Sequence, residues 1–457
     1  MIPFELAVRA TGARVEGADR APTALRVATD TRSIEPGDAF LALRGERFDG
    51  HAYTREAVAR GAAALIVDER SAAVAGVTTL IVPNTLRAYL ALARVARDRF
   101  GGRVVAITGS AGKTTTKELL AQLLRAHYGD RVAASPANEN NEIGVSKFLL
   151  GHADARRDVL VVEMGARHYD DIAPLVEAAR PDLGILTNVG EAHIEIMGSR
   201  ERLAHTKWGL FSGGARAVLN ARDDVSLARA PSLPRTPHWF AAIAEGERIS
   251  TGGTTTLLVG ANRLIEIDGD RVVERAIDVR LPGVHNRANL AGAIAAALDL
   301  GVPVESILAT VPLASLPKGR YEAIDLPGRP RLIYDAYNAN LSGMLAALDA
   351  FAGEAGERRI AVLASMAELG DEAPAMHERV GERAAAAVDL LLVGGRYADE
   401  LARGAAAGGL SSERIVRFAS NDEAARWIDA SGRPGDVVLL KGSRVYALEE
   451  IVERLRT

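Results

Sequence analysis

The chain has 457 residues, 48% hydrophobic and 25% charged, with 55 basic against 59 acidic side chains and a net charge of -4. That length and balance describe a globular protein of roughly two to four domains and imply no surface for nucleic acid, which is not an expected partner. Cysteine is absent, which excludes disulfides and thiolate metal sites; with no signal-peptide pattern and no apolar run near the ~18 residues that span a bilayer, a cytoplasmic protein without membrane insertion is expected.

The first hundred residues read as a smaller α/β unit, with strands such as "DAFLAL" and "AALIV". From 101 the rhythm becomes apolar strand, short turn, amphipathic helix. "RVVAITG" (103–109) is followed by "KTTTKELLAQLLRAHYG", "DVLVVEMGA" (158–166) by "DIAPLVEAARP", and "DLGILTNVG" (182–190) ends on a turn. Continuous apolar strands alternating with helices predict a parallel sheet covered on both faces. The segment 250–283 alternates more and carries Asp-Gly, which predicts antiparallel hairpins at an edge. A Pro/Gly-punctuated stretch at 312–330 reads as a linker. A second α/β series follows in "RLIYDAY", "RRIAVLASM", "DLLLVGG" and "GDVVLLKGS". The fold class expected is α/β in three domains: a smaller N-terminal unit (1–102), a central mostly parallel sheet of P-loop type with helices on both faces (103–314), and a Rossmann-like C-terminal unit (315–457).

The turn after the first central strand is "GSAGKTT" (109–115). Gly109 and Gly112 allow a tight turn whose N–H groups converge, and the following helix adds its positive end. Ser110, Ala111, Thr115 and their neighbours then cradle phosphates, with Lys113 as a point charge and Thr114 as a hydroxyl for Mg²⁺. The full eight-residue phosphate-loop spacing is not met, because position 107 is Ile; the strand before and the helix after supply the required context. Mg²⁺–ATP is the natural ligand. Glu163 ends the next strand, so its carboxylate emerges at the same sheet edge, where ligands of open α/β sheets bind. His193 follows the strand after that. Each alone reads equally well as a surface carboxylate or an ordinary loop histidine, and Lys207 alone reads as a solvated helical lysine.

Together these residues resemble the Mur ligase family, the ATP-dependent amide-bond ligases of peptidoglycan precursor synthesis. The resemblance runs through "DTRSIEPGDAFLALRGERFDGHAY", "TGSAGKTTTKE", "NENNEIGVSKFLL", "VVEMGARHYDDIA", "TNVGEAHIEIMGS", "GVHNRAN", "YDAYNAN", "MAELGDE" and "LLKGSR", in that order. Within the family the likeness is to the member that joins D-alanyl-D-alanine to UDP-N-acetylmuramoyl-tripeptide through an acyl phosphate, releasing ADP. The resemblance implies that Lys113, Lys207 and His193 are catalytic, and that Glu163, His193 and a carbamylated Lys207 hold Mg²⁺ with Thr114. It implies that Asn286 and Asn289 lie near adenine, that Arg320 reaches the nucleotide, and that Asp335, Tyr337 and Asn340 close over ATP. Asn138, Asn140 and Asn141 are implied to face the acceptor, and Thr31, Arg32, Ser33, Phe48, Asp49, Gly50 and His51 to contact UDP. The implied partners are a UDP-linked muramoyl peptide, bound by the first domain, and a dipeptide or amino acid, received by the third; the implied assembly is a monomer.

Four places depart from the family pattern: Gly209 where a glutamate is frequent, "DAYNANLSGM" without the usual serine and proline, Ser365 in place of an aspartate, and Ser146–Lys147 in "GVSKFLL". The second and third leave open a ligase that adds a different amino acid or amine to a UDP-linked or other carboxylate. A nucleotide-controlled scaffold that makes no bond has no use for Glu163, His193 and Lys207 beside the loop.

Overall fold

The computed structural model describes residues 1–45, 48–190, 194–247, 249 and 255–456. A short pair, Ile2–Pro3 with Ala24–Leu25, opens the chain. The first sheet contains β1 (Arg14–Glu16), β2 (Val27–Ala28), β3 (Ala39–Leu41), β4 (Ala64–Val67) and β5 (Thr78–Ile81), in the order β1-β5-β4-β3-β2. Helix α1 (Thr85–Asp98) starts on Asn84, whose side chain accepts from the Arg87 N–H. It carries the first unit onto the second, where Arg97 donates to the Ala179 carbonyl at 2.9 Å and pairs with Asp182 at 2.9 Å.

The central sheet has nine strands. In chain order come β6 (Arg103–Thr108), α2 (Lys113–Tyr128), β7 (Val132–Ala134), α3 (Glu142–His152), β8 (Val159–Glu163), α4 (Ile172–Ala179), β9 (Leu183–Leu186), α5 (Arg200–Trp208), β10 (Arg216–Asn220), β11 (His238–Ala242), β12 (Thr256–Val259), β13 (Arg263–Asp268), β14 (Arg271–Ala276) and α6 (Val284–Asp299). Their spatial order is β14-β13-β12-β11-β10-β9-β6-β8-β7. All pairings are parallel except the two that add the β12-β13-β14 meander at one edge, where alternation and Asp-Gly predicted hairpins. The apolar runs are continuous because both faces are covered. On β6, Val104 and Ala106 join the core under α3, α4 and α5, while Val105 and Ile107 join the core under α2 and α6. Strand β6 lies between β8 and β9, so the chain reverses its direction across the sheet at the carboxyl end of β6 and leaves a crevice there.

The third sheet contains β15 (Glu322–Ile324), β16 (Arg331–Tyr334), β17 (Arg359–Ala364), β18 (Leu390–Gly394), β19 (Ile415–Phe418) and β20 (Val437–Lys441), in the order β15-β16-β20-β17-β18-β19. Its five later strands are parallel, and helices cover both faces. Helix α7 (Leu341–Phe351) follows β16. The stretch 312–330 is not all linker. Glu322–Ile324 pairs antiparallel with β16, a three-residue edge strand too short to show a period in sequence. Gln122 on α2 exchanges two 2.9 Å hydrogen bonds with the Ser315 backbone, which fixes the start of the connection.

Candidate active site

The turn after β6 is held from below by the strand-end residues of β9. Thr187 donates to the Ala111 carbonyl at 2.6 Å, and Asn188 accepts from the Ala111 N–H at 3.0 Å. The packing explains both glycines. A Cβ on Gly109 (φ +150°) would lie 1.8 Å from the Thr187 hydroxyl, and one on Gly112 (φ +83°) 2.2 Å from Asn289 Oδ1. Helix α2 then starts at Lys113, with its first N–H groups facing the crevice.

Three cations converge there. Lys113 Nζ folds back to the Gly109 carbonyl at 2.8 Å, and Lys207 Nζ, from the end of α5, donates to the same carbonyl at 3.1 Å. Lys207 is buried, 1% exposed, so the solvated helical lysine does not exist: α5 turns that face inward under the loop. Burial pushes the Lys113 ammonium down from its ordinary range, against the pull of Glu163 and with help from Arg320. Burial pushes Lys207 well below 10.5, and Lys113 adds to it. Arg320 comes from the connection to the third unit; its guanidinium lies 4.1 Å over the Tyr337 ring, and its Nε has no hydrogen-bond partner among the described residues.

Glu163 ends β8, is 2% exposed, and faces the loop. Its Oε2 accepts from the Thr114 hydroxyl at 2.9 Å and its Oε1 from the Asn140 amide at 3.0 Å. No group of three His, Asp or Glu side chains placed to hold a metal ion by themselves occurs among the described residues. A hydroxyl beside one carboxylate nonetheless fits Mg²⁺, which takes few protein oxygens and completes its octahedron with phosphate oxygens and water. His193 lies outside the described residues.

The cavity so formed has a volume of about 410 Å³. Its central-sheet wall contains Ser110 to Thr115, Asn138, Asn140, Asn141, Glu163, Asn286 and Asn289; its far wall contains Arg320, Asp335, Tyr337 and Asn340. Two of the asparagines are structural as well. Asn141 caps α3 by accepting from the Gly144 N–H, and Asn340 caps α7 by accepting from the Gly343 N–H. Asp335 accepts from the Tyr321 N–H at 3.1 Å and from Lys441 Nζ at 2.8 Å.

The seven residues of the first unit lie elsewhere. Thr31 donates to Glu56, Arg32 pairs with Asp30 at 2.6 Å, and Ser33 donates to the Asp30 carbonyl. Phe48 is 54% exposed. Asp49 accepts from the His51 N–H and pairs with the His51 ring at 2.6 Å, which pulls the carboxyl below its usual range. Gly50 has the Leu43 carbonyl where a Cβ would be, at 2.7 Å. His51 is buried, and its second ring nitrogen faces Asp68. None of the seven lines the cavity.

The structure adds His285, Tyr321 and Lys441 to the cavity wall. Burial lowers the His285 pKa, opposed by Asp335. Lys441 ends an apolar strand at the carboxyl edge of its sheet, the signal that singled out Glu163; Tyr321 left no such mark.

Family profiles match in chain order: Mur ligase family, catalytic domain, over 26–99; Mur ligase middle domain over 107–297; and Mur ligase, glutamate ligase domain, over 319–444. The chain is 36% identical over 436 residues to the UDP-N-acetylmuramoyl-tripeptide--D-alanyl-D-alanine ligase of Synechocystis sp., covering 94% of this chain and 91% of that one. It is 33% identical over 442 residues to the enzyme of the same name from Escherichia coli, covering 94% and 93%. Its fold matches MurF from Acinetobacter baumannii with a TM-score of 0.85 at 27% identity, over 100% of this chain and 98% of that one. It matches the MurF ligase of Thermotoga maritima, solved in complex with ADP, with a TM-score of 0.79 at 28% identity over 94% and 97%. With the 109–115 turn, Lys113, Lys207 and the third unit's edge falling inside these matches, the chain belongs to the Mur ligase family.

Proposed function

We propose that this chain is the ATP-dependent, ADP-forming ligase that joins D-alanyl-D-alanine to UDP-N-acetylmuramoyl-tripeptide in peptidoglycan precursor synthesis. The observation that carries the reading is the set of Lys113, Lys207 and Arg320 around one loop, desolvated by burial and without an ion pair among the described residues. Such a set stabilises a polyanion. The printed activities of relatives matched along more than nine-tenths of the chain supply the substrates.

The chemistry follows from the walls. Lys113 and the N–H groups of 110–114 bind the β- and γ-phosphates, and Arg320 and Tyr337 approach from the third unit. Thr114 and Glu163, with His193 and a carbamylated Lys207 by family likeness, would hold Mg²⁺, which when bound neutralises charge on the transferred phosphoryl group. Low pKa is what carbamylation of Lys207 requires, since only the neutral amine attacks CO₂. The acceptor carboxylate takes the γ-phosphoryl as an acyl phosphate, the dipeptide amine attacks its carbonyl, and phosphate leaves. The first unit receives the UDP end, with Thr31 to Ser33 and Phe48 to His51 as its contacts, and Asn138 and Asn140 face the acceptor. The three-unit division near 102 and 314 gives closure its hinges, and one chain supplies every wall of the cavity, which supports a monomer. No helix of the described residues is long and apolar enough to cross a membrane.

The test is phosphate release by purified protein with Mg²⁺–ATP and UDP-N-acetylmuramoyl-tripeptide, adding D-alanyl-D-alanine or single amino acids. Release stimulated by the dipeptide, with the corresponding gain in product mass, is expected. Stimulation by another amine alone overturns the dipeptide.

A further inference from the structure

Lys117, one turn into α2 beyond Lys113, is the charged residue at the end of the loop segment, and it does not line the cavity. It is 0% exposed. Its Nζ donates to the Ser135 carbonyl at 2.6 Å, lies 3.0 Å from Glu118 Oε1 and stands 3.9 Å from Glu163 Oε2. Ser135, just past β7 and 1% exposed, does two things at once. Its N–H donates to the Val161 carbonyl, continuing the pairing of β7 with β8, and its hydroxyl accepts from the Glu163 N–H at 2.9 Å. An unbroken polar path therefore runs from the Lys117 ammonium through Ser135 to the backbone of Glu163, and the same ammonium faces the Glu163 carboxylate across the core.

Burying an ammonium is costly, and an apolar side chain of similar length fills such a space at less cost. Lys117 touches neither solvent nor the cavity, so its charge serves no ligand directly. Besides Glu118, its neighbour in the chain, what it touches is the frame of Glu163. Thr114 and Asn140 hold the two carboxylate oxygens from the cavity side; Lys117 and Ser135 hold the same residue from behind. We propose that Lys117 is a positioning residue for the magnesium face of the site, fixing Glu163 in a single orientation through Ser135 and through its own charge. Partners behind a metal ligand set its direction and thereby the affinity for the ion. The inference rests on the reading of Thr114 and Glu163 as that face.

The test is the binding of a fluorescent ADP analogue to the full chain, without metal and across a Mg²⁺ titration, for the parent and for Lys117→Met and Ser135→Ala. The expected result is unchanged metal-free binding, with half-saturating Mg²⁺ raised roughly tenfold in both variants. If Lys117→Met does not fold, Ser135→Ala decides alone. Half-saturating Mg²⁺ within about twofold of the parent in every folded variant overturns the proposal, and so does an equal loss of metal-free and metal-dependent binding, the signature of a general packing role. A parent that binds no ADP at any Mg²⁺ level overturns the nucleotide reading itself, and this inference with it; a parent that binds while the variants do not shift overturns this inference alone.

Discussion

Two lysines on one carbonyl are an unstable arrangement without an anion, and Lys207 is the more strained of the two. Its folded-state pKa lies well below the ordinary 10.5 because burial, then Lys113, disfavours the charge. Unfolded chains therefore bind more protons than folded ones between those two values, so stability rises with pH across that window. The penalty is absent above about 10.5 and grows as pH falls towards the folded value. In CO₂-free, Mg²⁺-free buffer, Lys207→Met is expected to melt above the parent, by a margin that is larger near pH 7 than near pH 9. Ligation by the same variant is expected to be abolished. Thermal melts at the two pH values check the first statement, and product formation the second. A margin that shrinks towards neutral pH contradicts the assigned cause. Lys207 was also the residue least legible in sequence: "HTKWGLF" carries no period or spacing that separates a solvated lysine from one turned under a loop.

Elements position several site residues through their ends. Asn340 is both the cap of α7 and part of the cavity wall, and the two roles separate by substitution. Asn340→Ala removes the acceptor for the Gly343 N–H and is expected to cost about 1 kcal/mol of stability. Asn340→Asp keeps the cap and adds a negative charge to the wall proposed above to face the nucleotide phosphates. Its melting temperature should stay near the parent's, while KM for ATP rises about tenfold, equivalent to roughly 1.4 kcal/mol. Melts and initial rates on both variants check the pair; an aspartate variant with unchanged KM removes Asn340 from the nucleotide wall. The alternation of "LIEIDGDRVV" and the apolar runs of β6, β8 and β9 showed their elements in sequence, because strand period and two-sided burial are local patterns. β15 did not, since a three-residue edge strand exists only through its partner β16.

At the scale of the whole molecule, the cavity requires the central and third units to meet. Arg167 pairs with Glu368 at 2.9 Å, and the Gly370 N–H donates to Glu195 at 3.3 Å. The pair is too exposed, at 60% and 31%, to add more than ~0.2–1 kcal/mol to stability. Its effect should show in coupling. An acyl phosphate that meets water hydrolyses, so looser closure lets phosphate form without amide. Glu368→Gln is expected to leave the melting temperature within the range that corresponds to ~0.5 kcal/mol and to raise phosphate released per amide bond formed. Measuring both products in one reaction checks it; an unchanged ratio removes this contact from the closing device.

The sequence by itself determined the three α/β units as contiguous stretches, the glycine turn between a strand and a helix with its lysine and threonine, and Glu163 at a strand end. These are carried by neighbours in the chain: glycine spacing, strand period, and a carboxylate that must emerge where its strand stops. Only the tertiary structure decided that Lys207 shares a carbonyl 98 residues away, that Arg320 crosses a junction to reach Tyr337, that Asn141 and Asn340 cap helices, and that Lys117 backs Glu163. Those depend on which strand lies beside which: β6 sits between β8 and β9, so residues from three separate turns arrive at one sheet edge, where packing decides which charges are buried and which partners they share.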